Sequence, residues 1–160
     1  MNIRISSFLV LGVVVLGCGP TQEDVRRLVR EEMSRAMERK IVSPTKTIGP
    51  YSPAVRVGNL LFVSGQIGLD QNTGQLKSES IETETRQALI NMNTILNSEG
   101  YDSSHVVSAT VYLKNMNDYA KMNTVYGAFF REGDYPARTT VAVSELPKQA
   151  NIEITVIAHK

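Results

Sequence analysis

The chain has 160 residues, 42% of them hydrophobic and 21% charged, enough for one compact domain with little left over. Its 17 basic and 16 acidic residues give a net charge of +1, so no global basic field exists to hold a nucleic acid backbone. One cysteine and two histidines exclude an internal disulfide framework and supply too few ligands for the common Cys/His zinc sites.

The chain opens with the pattern of a secretory leader. Arg4 precedes an apolar run, Phe8 to Gly17, that is too short to span a bilayer as a helix. Cys18 follows directly in Val15-Leu16-Gly17-Cys18, which resembles the lipobox of bacterial lipoproteins. Residues 1–17 are therefore expected to be a signal peptide and Cys18 the lipidated first residue of the mature chain. That implies a lipid anchor facing the periplasm. Gly19 after the cysteine favours the outer membrane, with plain secretion as the alternative.

Residues 18–43 read as a charged stalk. Thr21 suits an N-cap, and Glu23 and Asp24 suit the positive end of a helix. Val25, Leu28, Val29, Met33, Ala36 and Met37 recur at helical spacing, so the helix is expected to run to about Lys40. It can serve as a solvated spacer or as a contact between stalks; its interrupted stripe does not support a strict coiled-coil seam. Ser43-Pro44 then breaks the helix, and the domain is expected to span 44–160.

Within the domain, Val55–Val57 and Leu60–Ser64 flank Gly58-Asn59, a hairpin signal, with the second run extending to Leu69. A helix is expected from Ser80 to about Ser98, ended by Gly100. Val106–Leu113 alternates as a strand. Met116–Phe130 reads as a second helix, with Tyr119, Asn123 and Tyr126 on its packed face. Thr139–Val143 and Ile152–Ala158 are the last strands. The order β-β-α-β-α-β predicts an α+β domain with two helices on one face of a mixed sheet. The opposite face is left without a cover, which implies a partner subunit.

Two charges stand on the last strands. Arg138, after Tyr135-Pro136-Ala137, offers a planar guanidinium suited to a carboxylate; Glu153 offers an acid/base group. From these two residues alone, a site for a small organic acid and a structural ion pair are both open.

Taken together, Ile48-Gly49-Pro50-Tyr51-Ser52, Leu61-Phe62-Val63-Ser64-Gly65-Gln66-Ile67, Gln87-Ala88-Leu89-Ile90-Asn91-Met92, Val111-Tyr112-Leu113, Met122-Asn123-Thr124-Val125-Tyr126, Tyr135-Pro136-Ala137-Arg138 and Leu146-Pro147-Lys148 closely resemble the YjgF/RidA family of enamine/imine deaminases. The resemblance implies a chorismate mutase-like fold and a homotrimer with clefts between subunits. It implies hydrolysis of a 2-imino acid such as 2-iminopropanoate to a 2-oxo acid and ammonia, with no cofactor and no metal. Arg138 would clamp the substrate carboxylate and Glu153 would activate water. Tyr51, Ser64, Gly65, Asn123 and Thr140 would line the site. Thr140 stands where relatives often have cysteine, so its backbone rather than a thiol is the expected contributor. Arg138 carries weight because family branches without deaminase activity lack it. Non-catalytic binding on the same scaffold is the competing reading. A ribonuclease is the weakest, given the near-zero charge and no evident histidine pair.

Overall fold

The computed structural model describes residues 19–160, apart from the side chain of Ala36. The leader and Cys18 lie outside the described residues. Two compact units divide the chain, the second being Glu38–Lys160.

In the first unit, α1 spans Gln22–Ala36. Its N-terminus carries a capping box: Thr21 accepts from the Asp24 backbone at 3.1 Å, and Asp24 accepts from the Thr21 backbone at 3.2 Å. The expectation of a helix to Lys40 is corrected. The helix stops at Ala36, and β1 (Arg39–Val42) belongs to the sheet of the second unit. The β-branched pair Ile41-Val42 suits a strand, and pairing with β2 along its whole length decides the outcome.

β2 (Ala54–Val57) and β3 (Leu60–Ile67) form the expected hairpin, with Gly58 at φ 57° in the turn. Then follow α2 (Ile81–Ser98), β4 (Val106–Leu113), α3 (Tyr119–Phe129), β5 (Ala137–Ala142) and β6 (Ile152–His159). The second helix is shorter than the Met116–Phe130 expected. Met116–Asp118 is a separate 3₁₀ turn capped by Asn115, whose side chain accepts from the Asn117 backbone.

The strands make one six-stranded sheet in the order β1-β2-β3-β6-β4-β5. β4 and β5 run parallel; every other pair is antiparallel. The mixed α+β architecture is thus as expected, with β1 added at one edge. Leu61 and Val63 of β3, Val111 and Leu113 of β4, and Ile152, Ile154 and Val156 of β6 point to the helices. They pack with Leu89, Met92, Ile95 and Leu96 of α2 and Met122 and Tyr126 of α3 in one apolar cluster. Full burial of each such aliphatic side chain contributes roughly 1.5–3 kcal/mol before entropy is counted.

The intervening positions, Phe62, Thr110, Glu153, Thr155 and Ile157, lie on the other face. That face mixes exposed apolar side chains such as Phe62 and Val107 with serine and threonine. Two buried polar groups lock the sheet to α2. Asn91 donates to the carbonyls of Ile67 and Leu69 at 3.0 and 2.8 Å. Glu84 accepts from the backbone and side chain of Asn151, both at 2.8 Å, and so fixes the start of β6.

Candidate active site

Glu153 is placed by strand parity. Its neighbours Ile152 and Ile154 are fully buried under the helices, so its own side chain emerges on the open face, opposite Tyr112 of β4. On its other side, the β3–β6 register shifts between Val63 and Gln66, a bulge that holds Ser64 and Gly65. The Glu153 carboxyl lies over Gly65: a Cβ built there would stand 2.6 Å from the Glu153 Cδ. Glycine here is a requirement of space. Burial pushes the Glu153 carboxyl above its usual value, and no hydrogen bond to it offsets that effect among the described residues.

Around this carboxyl lies a cleft of about 360 Å³, lined by Ile48, Tyr51, Ser64, Gly65, Pro147 and Glu153 together with Ile67. Tyr51 is held by a tight turn in which its N–H donates to the Gly49 carbonyl at 2.9 Å. Ser64 ties that loop to the bulge. Its N–H donates to the Pro53 carbonyl and its hydroxyl to the Ser52 carbonyl at 2.7 Å. The hydroxyl proton is thus used in structure, which leaves the oxygen of this cleft-lining residue only acceptor capacity. Pro147 precedes Lys148 and Gln149, both in the left-handed region at φ 56° and 62°. Such conformations cost roughly 1–2 kcal/mol per residue, and they shape one wall of the cleft.

Arg138 is elsewhere. Its register partner is Ala109, a buried residue facing the helices, so Arg138 projects to the helix side of edge strand β5. Its guanidinium stacks over the Tyr126 ring at 4.4 Å and donates to the Tyr119 hydroxyl at 3.4 Å. Arg138 and Glu153 therefore stand on opposite faces of one sheet, two strands apart, and form no ion pair. The structural Arg–Glu pair left open by sequence is excluded within one subunit.

Asn123 and Thr140 fall with Arg138. Thr140 pairs with Val111 on the helix side. Asn123 Oδ1, Tyr126 Oη and Thr140 Oγ1 are buried with no hydrogen-bond partner among the described residues. A hydrogen bond from the Asn123 side chain, and then the Arg138 charge, hold the Tyr119 phenol below its usual value. Burial acts oppositely on Tyr126 and raises its phenol to about 12, against the pull of Arg138.

The sequence-derived site residues thus divide into two groups. Tyr51, Ser64 and Gly65 stand with Glu153; Asn123 and Thr140 stand with Arg138. Helical periodicity alone makes Tyr119 and Tyr126 packing residues, yet both touch Arg138. Their spacing with Asn123, at i, i+4 and i+7 on α3, was the available signal. Ile48 and Pro147 lie in segments that carry the family resemblance, but their side chains offer no chemistry of their own. Among the described residues, no group of three His, Cys, Asp or Glu stands close enough to hold a metal.

The first group offers a partly desolvated carboxyl in a cleft shared with Tyr51, Ser64 and Gly65. The second offers a stacked cation surrounded by polar groups. Together they have the chemistry to bind a small carboxylate and move a proton on water.

The family model described as endoribonuclease L-PSP matches residues 41–160. A RutC family protein of Pyrococcus horikoshii is 51% identical over 72% of this chain and 90% of its own length. The mouse 2-iminobutanoate/2-iminopropanoate deaminase is 43% identical over 75% of this chain and 90% of its own. The solved structure of Escherichia coli TdcF with bound serine superimposes with a TM-score of 0.71 at 33% identity, covering 76% of this chain and 98% of that one. A family match over most of the domain, with the mixed sheet and its helices in place, leads to one conclusion: the chain belongs to the endoribonuclease L-PSP (YjgF/RidA) family.

Proposed function

We propose that this protein hydrolyses small 2-imino acids to 2-oxo acids and ammonia, in clefts completed between the subunits of a homotrimer. The observation that carries the reading is the division of the site. Arg138 and Glu153 lie on opposite sheet faces of one chain, so a pocket using both takes each from a different copy. The deaminase name of the mouse relative supports the reaction, and the trimer is what the YjgF/RidA resemblance implies.

In this mechanism Arg138 pairs with the substrate carboxylate through two parallel hydrogen bonds, and the Tyr126 ring below holds the guanidinium flat. The Glu153 carboxylate takes a proton from water as the water oxygen bonds to the imine carbon. The C=N π pair moves to nitrogen, which takes the proton held by Glu153 and leaves the carboxylate free again. In the resulting carbinolamine Glu153 relays the hydroxyl proton to the nitrogen as the C–N bond breaks, so that ammonia leaves and the hydroxyl oxygen becomes the new carbonyl. One water is consumed and no oxidant is needed. The apolar wall of Ile48, Ile67 and Pro147 suits a short aliphatic side chain on the imino acid.

The test is release of 2-oxo acid from 2-iminopropanoate generated in situ. Acceleration above the buffer rate is expected with the intact chain and not with Arg138→Ala. No acceleration by the intact chain refutes the proposal. One observation favours the alternative of ligand binding without turnover: TdcF is described with serine, an amino acid that has no imine to hydrolyse. A nuclease reading is disfavoured, since neither histidine lines the cleft.

We further propose that residues 1–17 direct export and that Cys18 is lipidated, tethering the domain to a membrane; its lipobox-like surroundings support this. Membrane fractionation of the intact chain and Cys18→Ala tests it. The intact chain is expected with membranes and the variant is not; a soluble distribution for both overturns the tether.

A further inference from the structure

We propose that Tyr119 is a positioning residue for Arg138: its hydroxyl occupies one hydrogen of the guanidinium and so leaves a single two-donor edge for the ligand carboxylate. This role rests on Arg138 being the carboxylate anchor. Packing alone does not account for Tyr119, whose side chain is 40% exposed, whereas Tyr126 on the same helix is 3% exposed.

Tyr119 opens α3 directly after the Met116–Asp118 turn. Asn123 and Tyr126 follow at i+4 and i+7, on the same side of the helix. That side meets edge strand β5 at Arg138. The guanidinium carbon lies 4.4 Å from the Tyr126 ring centre and 5.9 Å from that of Tyr119, and Nη2 donates to the Tyr119 hydroxyl at 3.4 Å. The ring contact restrains where the cation sits. A bond to one nitrogen also restrains how it is turned.

That turn matters because a guanidinium offers two parallel donors along either of two edges, Nε with Nη2 or Nη1 with Nη2. Nη2 belongs to both edges, and each of its hydrogens serves one. A hydroxyl on one hydrogen leaves only the other edge complete, so the ligand carboxylate is received in one orientation. At 3.4 Å the bond is long for a charged donor. Its loss is therefore expected to weaken carboxylate binding several-fold, a smaller effect than loss of Arg138 itself.

The same contact makes the anchor sensitive to alkali. A hydrogen bond from Asn123, and then the Arg138 charge, hold the Tyr119 phenol below its ordinary value. Once ionised, the phenol is itself an anion on Arg138 and opposes a second one there. Among the described residues, the groups that act on this phenol are Asn123 of its own helix and Arg138 of β5; Tyr126, raised to about 12, keeps its proton. Tyr51 and Glu153, in the other half of the cleft, are common to the parent and a Tyr119 variant.

Calorimetric titration of the full-length chain with pyruvate, an unreactive 2-oxo acid, tests the role at about pH 7.5 and about pH 10. A phenol held below ~10 is more than half ionised at the higher pH, so the parent's affinity should fall about two-fold or more. Tyr119→Phe keeps the ring. It should bind several-fold more weakly than the parent at the lower pH, and its alkaline fall should be absent. Equal affinity of parent and variant at the lower pH overturns the proposal, as does an alkaline fall of the same size in both. A flat profile for the parent, or no binding of pyruvate by it, overturns the proposal without recourse to the variant. Turnover is read separately: a chain that binds pyruvate in this manner but releases no 2-oxo acid from 2-iminopropanoate refutes the deaminase reading and leaves the role of Tyr119 standing.

Discussion

Glu153 shows how one residue can serve function at a cost to the fold. Its carboxyl is half-buried with no donor to balance the burial, which raises its pKa. The folded state therefore binds this proton more tightly than the unfolded state. Stability from this group is gained as pH falls through the folded pKa and is lost again as pH rises through it. Glu153→Gln is expected to melt higher than the parent at neutral pH, with the difference shrinking in mild acid, as thermal unfolding at two pH values will report. The same variant should lose turnover. In the parent, kcat/KM should fall on acidification with a midpoint above that of an ordinary glutamate, because a protonated carboxyl cannot accept from water. At Arg138, lysine retains charge but not the planar fork or the stacking on Tyr126. Arg138→Lys is expected to lower kcat/KM roughly 10–100-fold, mostly through KM, the scale of losing a charged hydrogen bond. Both residues were legible in sequence as chemistry on strands. Their separation was not, because it depends on which face each strand turns to the helices. That follows from register, in particular the Ala109–Arg138 and Tyr112–Glu153 partners.

Among the elements, the ones read correctly carry strong local signals. α2 begins after Ser80, whose hydroxyl accepts from the Thr83 N–H at 3.1 Å, and continues through an unbroken helical stripe. The Gly58 turn set the hairpin. β1 escaped notice because its few residues follow a helical pattern in phase, and only β2 beside it makes it a strand. The turn at Pro147–Gln149 was also hidden, since lysine and glutamine give no sign of a left-handed backbone. That turn invites a test. Lys148→Gly removes the side-chain penalty at φ 56°, so a rise in stability of about 1 kcal/mol is expected in denaturant unfolding, lessened by the freedom glycine gains when unfolded. Because Pro147 lines the cleft, a loosened turn should raise KM even as the fold becomes more stable.

At the scale of the molecule, the sheet has one face sealed by helices and one that shows Phe62 and Val107 to solvent. With the trimer proposed above, light scattering should give three times the chain mass. Phe62→Arg should reduce that mass by placing a charge on the open face. The whole arrangement was legible from sequence only as a two-layer domain needing a cover. The placement of Arg138 and Glu153 on opposite faces has a genetic consequence as well as a chemical one. Two inactive proteins, Arg138→Ala and Glu153→Gln, each keep intact the half that the other lacks. When the two are unfolded, mixed in equal amounts and refolded together, random assembly gives about a quarter of the interfaces one sound half from each parent. Activity should therefore return to about a quarter of the parent level, from chains that have none when refolded apart. Conversely, a chain defective in both halves would spoil two interfaces in every ring it enters, and so act dominantly over sound copies.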